Sequence, residues 1–334
     1  MPSARSRPAS GERKPLVHDI DVFNGDADGL CSLRQLRLAE PADSLLVTGP
    51  KRDIALLERV EAAHGDRVTV LDVSLERNRA ALRALLERGA SVRYFDHHFA
   101  GEVPVHPNLE TVLDASRETC TSVLVDRYLN GRFRVWAAVG AFGDGLDEVA
   151  LGLGGSLALG AAELEKLREL GRSLNYNAYG ESASELLIHP AKLYARLARY
   201  EDPLQFVAKE RIFARLQSRR HADLNAALEV PPRWSGERAA GYVLPDRPSS
   251  RRVSGVFANH LAHVDPRRAH AVLAPRTGGG YIVSVRAPAD ARLGADAFCR
   301  QFPTGGGRRE AAGIDDLHEG QMQEFIERFN AAFS

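Results

Sequence analysis

From Asp19 to Asp96 the chain alternates short β-branched apolar runs with amphipathic stretches of helical period, and few architectures accommodate that alternation. It predicts strands over 19–23, 44–48, 67–71 and 91–95, with helices over 29–39, 51–63 and 75–88 between them. Strands separated by helices pair in parallel, and the helices cover the faces of the sheet. Ligands bind such a sheet beyond the carboxyl ends of its strands. Asp26 and Asp28 follow the first strand, Asp72 the third, and Asp96, His97 and His98 close the fourth. Several acidic and imidazole groups therefore converge on one edge.

The 334 residues are 44% hydrophobic and 26% charged, which fits a globular chain long enough for two domains and excludes a disordered one. No apolar run approaches the roughly 20 residues needed to span a bilayer, so no membrane partner is expected. Met1 to Pro15 reads as a flexible basic tail without the apolar middle of a secretion signal. Three widely spaced cysteines, Cys31, Cys120 and Cys299, suggest neither a disulfide framework nor a thiolate zinc site, so a reducing cytoplasm is expected. Basic and acidic residues balance at 44 each, giving no broad basic face for long nucleic acid.

Residues 16–190 read as one α/β domain, with helical stretches over 117–143 and 147–171 after the strand–helix alternation. A charged, Arg-rich helical connector spans 191–235, and Pro231-Pro232 ends its helix. A smaller α/β domain, 236–334, follows, with strands near 239–244, 270–274 and 281–286 and helices near 252–262 and 319–332.

Asp26-Ala27-Asp28-Gly29 places two carboxylates on a strand-to-helix turn, which suits a divalent cation but suits a helix cap as well. Asp72 before Ser74 could likewise be a cap, and Asp144 between Gly143 and Gly145 a turn. Asp96-His97-His98 is harder to explain without a metal, because adjacent imidazoles after a buried strand suit borderline ions such as Mn²⁺, Co²⁺ or Zn²⁺. It is the coincidence of all four positions that points to a metal site.

The order D-x-D, D, D-H-H, D resembles the DHH phosphoesterase superfamily, which includes RecJ-like exonucleases, oligoribonucleases that also dephosphorylate 3′-phosphoadenosine 5′-phosphate, and cyclic-dinucleotide phosphodiesterases. Phe302 to Gly313, with Gly305-Gly306-Gly307-Arg308-Arg309, is similar to the glycine-rich motif of the DHH-associated C-terminal domain. Gly255 to Asn259 and Val283 to Arg286 also look like that domain, so the resemblance covers most of residues 19–330.

The resemblance implies a divalent-metal phosphoesterase working with Mn²⁺, or with Mg²⁺ or Co²⁺, and two ions about 3.5–4 Å apart. Asp72 would bridge them, with Asp26 on one ion and Asp28, His97 and Asp144 on the other. Asp96 would orient His97, and His98 would contact the phosphate. Gly305, Gly306 and Gly307 would let backbone N–H groups approach a phosphate, Arg308 or Arg309 would add a bidentate cation, and Asn259 would face the substrate. Ser116 to Ser122 opens a helix and could line the same cleft.

Two positions depart from the family pattern. Val22 stands where many members carry a histidine, so one ion is expected to be weakly held, or Asn24 to substitute through an oxygen. Arg308 stands where many carry histidine, and arginine binds charge but does not act as a general acid near neutral pH.

The leading expectation is hydrolysis of short nucleotides: oligoribonucleotides, 3′-phosphoadenosine 5′-phosphate or cyclic dinucleotides. A RecJ-like exonuclease guided along single-stranded nucleic acid by Arg211 to Arg220 is the alternative, and a catalytically weakened nucleotide-binding regulator is a second one. A homodimer is compatible with the sequence.

Overall fold

The computed structural model describes residues 17–333, so the tail expected over 1–15 lies outside the described residues. Five parallel strands form the first sheet: β1 (Asp19–Asn24), β2 (Leu45–Gly49), β3 (Arg67–Leu71), β4 (Ser91–Asp96) and β5 (Leu109–Leu113), in the order β2-β1-β3-β4-β5. Helix α1 (Ala27–Ala39) connects β1 to β2, and α2 (Leu75–Glu87) connects β3 to β4. Alternation along the strands divides the core into two layers. Val22, Val68, Val70, Val92 and Tyr94 pack with Leu82, Leu85 and Leu86 of α2. Phe23, Leu71 and Phe95 pack on the opposite side with Leu30 and Leu33 of α1 and with the helices that follow β5.

Those helices are α3 (Thr121–Tyr128), α4 (Arg134–Gly143), α5 (Asp147–Gly155), α6 (Ala161–Ala178), α7 (Pro190–Leu197), α8 (Pro203–Lys209) and α9 (Arg211–Leu228). Leu193, Leu197, Ile212, Phe213 and Leu216 join the layer around Phe23 and Trp136, so much of the expected connector is core of the first unit.

Three expected helices are corrected. Residues 51–63 contain only one 3₁₀ turn, Leu56–Arg59. Asn78 of α2 accepts from Leu57 N–H at 3.2 Å and donates to the Ile54 carbonyl at 2.7 Å, replacing a helical ladder with tertiary bonds. The stretch 117–143 begins only at Thr121, because Asp114 accepts from Ser116 N–H at 2.9 Å and from the Thr119 hydroxyl at 3.1 Å in a competing turn. It breaks again at Asn130 and Gly131, both left-handed with φ 54° and 77°. The helix expected over 147–171 is interrupted between α5 and α6, where Ala158 has φ 56°.

The second sheet has six strands: β6 (Trp234–Ser235), β7 (Ala239–Val243), β8 (Ala269–Pro275), β9 (Tyr281–Arg286), β10 (Gly305–Gly307) and β11 (Ala311–Leu317), in the order β10-β11-β9-β8-β7-β6. Only β7 and β8 pair in parallel, joined by α10 (Pro248–Val264). On one face α11 (Ala295–Cys299) and α12 (Met322–Phe333) bury Phe298, Phe325, Phe329 and Phe333. Through Val253 and Phe257, α10 packs on Val272 and continues the core to Tyr176 of α6 and Ala227 of α9.

Buried charge ties the two units together. Arg252 donates to Tyr176 Oη at 3.0 Å, Asp223 Oδ2 at 3.0 Å and the Glu185 carbonyl at 2.7 Å. Arg251 pairs with Glu185 at 2.5 Å. Among the described residues no helix is long and apolar enough to cross a membrane.

Candidate metal centre

The carboxyl edge of the first sheet gathers the expected residues. Asp26 caps α1: its Oδ1 accepts from Asp28 N–H at 3.0 Å and Gly29 N–H at 3.1 Å. Gly29 permits this turn, since a Cβ there would lie 2.1 Å from the Asn24 carbonyl oxygen. Asp28 turns toward α3, where its two oxygens accept from Thr121 N–H and Ser122 N–H, each at 2.7 Å. The carboxylate thus sits on the positive end of that helix. Asp144 caps the far end of α4.

Asp72 follows β3 with φ 57°, a conformation that disfavours most side chains but that Asp tolerates. Its Oδ1 lies 3.4 Å from His97 Nε2 and accepts from the Thr121 hydroxyl at 3.4 Å. One ligand atom from each of Asp72, His97 and His98 lies within 4.8 Å of the others.

Each imidazole is fixed from behind. His97 Nδ1 lies 3.1 Å from the Thr119 carbonyl, which can only accept, so Nδ1 carries the proton. His98 Nδ1 lies 2.6 Å from Asp96 Oδ1, which also accepts from His98 N–H at 3.1 Å. The orienting role expected of Asp96 therefore falls on His98 and not on His97. Rings held through Nδ1 offer their Nε2 lone pairs, the usual arrangement behind metal-bound histidine. Two ring nitrogens and a carboxylate suit a borderline divalent ion such as Mn²⁺ or Co²⁺. The residues fit the metal that the sequence implies.

The electrostatics are those of a concentrated acidic cluster. Burial, together with the charges of Asp26 and Asp28, pushes the Asp72 carboxyl well above its ordinary value. Burial also raises Asp144, against the opposing charge of Lys51. Burial opposes ionisation of Asp26 too, but Lys51 outweighs it and holds that carboxyl below its ordinary range. Burial disfavours a charged His97 ring, yet the hydrogen bond and charge of Asp72 raise it to about 10.

Lys51 is the residue that the sequence reading missed. Its Nζ lies 2.5 Å from Asp26 Oδ2 and 3.7 Å from Asp144 Oδ1, with the Tyr179 ring centre 5.9 Å away. Position 51 lies just past the carboxyl end of β2, so the rule that singled out the acids covers it equally. The Thr119 carbonyl was missed because backbone acceptors carry no residue-type signal.

Val22 is wholly buried against α2, in the layer with Val68 and Val70. Asn24 Oδ1 accepts from Asp26 N–H at 3.2 Å and is thereby committed to the turn.

In the second unit Gly305 to Gly307 form the edge strand of a hairpin, closed by Arg308 N–H donating to the Ala311 carbonyl at 2.8 Å. A Cβ at Gly305 would stand 1.7 Å from the Cys299 carbonyl oxygen. Arg309 donates to the Ala291 carbonyl at 2.7 Å and so is tied within its own unit. Asn259 Oδ1 accepts from Arg286 Nε at 2.7 Å. Among the described residues no hydrogen bond or ion pair joins 305–309 to Asp72, His97 or His98. Arg52, next to Lys51, meets Asp315 of β11 at 3.0 Å and brings the hairpin's sheet to the mouth of the acidic edge.

No protein-family model matches the sequence, and no curated protein does. Solved structures do. RecJ from Thermus thermophilus in complex with Mn²⁺ is 24% identical with a TM-score of 0.64, over 94% of this chain and 51% of that one. This chain thus spans about half the length of that protein. An exonuclease RecJ bound to manganese is 23% identical with a TM-score of 0.59, over 94% of this chain and 89% of that one. The pGpG-specific phosphodiesterase PggH from Vibrio cholerae is 11% identical with a TM-score of 0.53, over 94% and 99%. These likenesses show that the chain has a RecJ-like fold.

Proposed function

We propose that this protein is a divalent-metal-dependent phosphoesterase that hydrolyses phosphoester bonds of short nucleotides. The observation that carries the proposal is the convergence of Asp72, His97 and His98, with both rings fixed through Nδ1 and His97 Nε2 facing Asp72 Oδ1 at 3.4 Å. Asp72, His97 and His98 would hold a divalent ion, which would supply Lewis-acid chemistry and lower the pKa of a water. Asp26, Asp28 and Asp144 make the edge strongly negative and favour a cation. The Gly305 N–H is spent on the Phe302 carbonyl at 2.9 Å, so the glycine hairpin approaches the phosphate through Gly306, Gly307 and the Arg308 guanidinium, while Arg286, held by Asn259, adds a further cation. The fold shared with RecJ and PggH supports the same chemistry. Assay with Mn²⁺ against short oligoribonucleotides, 3′-phosphoadenosine 5′-phosphate and cyclic dinucleotides tests it, with Asp72→Ala as the inactive control. Absence of turnover on every substrate rejects it, and retained nucleotide affinity would then favour a regulator.

The likeness to two RecJ structures favours a second reading, a single-strand exonuclease. The Arg-rich helix supports it only weakly, because Arg219 pairs with Asp223 at 3.0 Å and Arg220 with Glu169 at 2.6 Å. Binding to a long single strand that weakens steeply with salt would establish this reading. Weak, salt-insensitive binding would exclude it.

A further inference from the structure

We propose that Lys51 supplies the second positive charge of this centre, so that the protein holds one divalent ion, at Asp72, His97 and His98, beside a built-in ammonium. The inference rests on the phosphoesterase reading for its purpose, but its geometry is independent of any substrate.

The donors that a second ion would need are already engaged. Asp26 Oδ2 holds Lys51 Nζ at 2.5 Å, and Asp26 Oδ1 caps α1. Both oxygens of Asp28 accept from α3 at 2.7 Å. Asp144 Oδ1 faces the same ammonium at 3.7 Å. Val22 puts a packed aliphatic group where a nitrogen ligand would otherwise start, and Asn24 is spent on the turn.

Lys51 is not a surface side chain that has drifted inward. Its backbone N–H donates to the Ala178 carbonyl at 2.9 Å, anchoring the residue to the end of α6, and its Nζ stands 5.9 Å from the Tyr179 ring centre. An ammonium has three donors; with Asp26 and Asp144 as partners, one remains for a non-bridging phosphate oxygen. Lys51 thereby does by charge and hydrogen bonding what a second cation does for a phosphate, without needing to be loaded.

Manganese stoichiometry, measured by titration calorimetry and by electron paramagnetic resonance on metal-free protein, tests this apart from turnover. The wild type is expected to bind one Mn²⁺ per chain with an uncoupled spectrum. Lys51→Met, which keeps the stem and removes the charge, is expected to bind two, with exchange-coupled signals. Lys51→Arg is expected to stay at one. Thermal melting verifies folding; if Lys51→Met does not fold, Lys51→Gln replaces it, and the wild-type count stands by itself. Two ions in the wild type, or one in a folded Lys51→Met, overturns the proposal. Failure of the phosphoesterase reading looks different: one ion bound and no substrate of the panel turned over.

Discussion

The carboxylate of Asp96 accepts from both the ring Nδ1 and the backbone N–H of His98, at 2.6 and 3.1 Å, so two adjacent residues form a closed unit that fixes one imidazole. The second carboxylate oxygen of Asp96 accepts from Leu75 N–H at 3.1 Å and so ties that unit to the start of α2. His98 is held by a buried anion, whereas His97 is held by the neutral carbonyl of Thr119. The two rings that look equivalent in the sequence have unequal supports.

Asp96→Asn keeps an acceptor for Leu75 N–H but removes the charge behind His98. Mn²⁺ affinity should fall by roughly 10–100-fold, the usual effect of losing a carboxylate behind a metal-binding histidine. Calorimetric titration checks this, and an unchanged affinity would remove His98 from the ligand set.

Asp72 combines a left-handed backbone, φ 57°, with a buried carboxylate near Asp26 and Asp28. Asp72→Gly should raise the melting temperature of the metal-free protein, because such strain costs on the order of 1–3 kcal/mol. It should also abolish Mn²⁺ binding. A lower melting temperature would show that the Thr121 and His97 contacts of Asp72 outweigh the strain.

Against the effect of burial, the Asp72 carboxylate raises the His97 imidazole from an ordinary 6.5 to about 10. A raised folded value means that its contribution to stability is complete below 6.5 and is lost as pH rises through 10. A metal ion competes with that proton, so Mn²⁺ affinity should climb with pH across the same window. Calorimetry at about pH 7.5 in buffers of different ionisation enthalpy should detect proton release on Mn²⁺ binding.

Asp223 and Arg252 are both buried, and Tyr176 donates to the same Asp223 oxygen at 2.6 Å. Asp223→Ala leaves the guanidinium without its counter-charge and should cost about 3–5 kcal/mol in urea unfolding. Tyr176→Phe removes one hydrogen bond and should cost about 1 kcal/mol.

At Gly305 an added Cβ would collide with the Cys299 carbonyl oxygen 1.7 Å away. Gly305→Ala should therefore shift the hairpin, raising KM for the substrate by an order of magnitude or more while leaving Mn²⁺ affinity unchanged. A parallel loss of metal affinity would mean that the hairpin supports the centre itself.

The parallel sheet was legible because its strands are apolar on both faces and its helices keep their period. Edge strand β5, Leu-Glu-Thr-Val-Leu, was not, since it is half exposed and follows a loop without strand character. The apparent helix at 51–63 has the right period, but Asn78, distant in sequence, supplies its hydrogen bonds. The acidic edge could be anticipated because Asp26, Asp28, Asp72 and Asp96 follow or close strands, whereas Asp144 comes from the end of α4. Which ring Asp96 would hold could not, because either neighbour is within reach and only the packing of Thr119 against His97 decides it. Lys51 was invisible for a different reason: a lysine past a strand end has no distinctive pattern until its carboxylates are seen around it.

The ion pair of Arg52 with Asp315 is largely exposed on the Asp315 side, and such pairs contribute on the order of 0–1 kcal/mol. Lys51, one residue earlier, is fastened by Asp26 and by the Ala178 carbonyl. Loss of the Arg52–Asp315 pair would leave the ammonium in place, because none of its own partners depends on that pair. The charge at the floor of the cleft is therefore held by bonds independent of the one at its mouth.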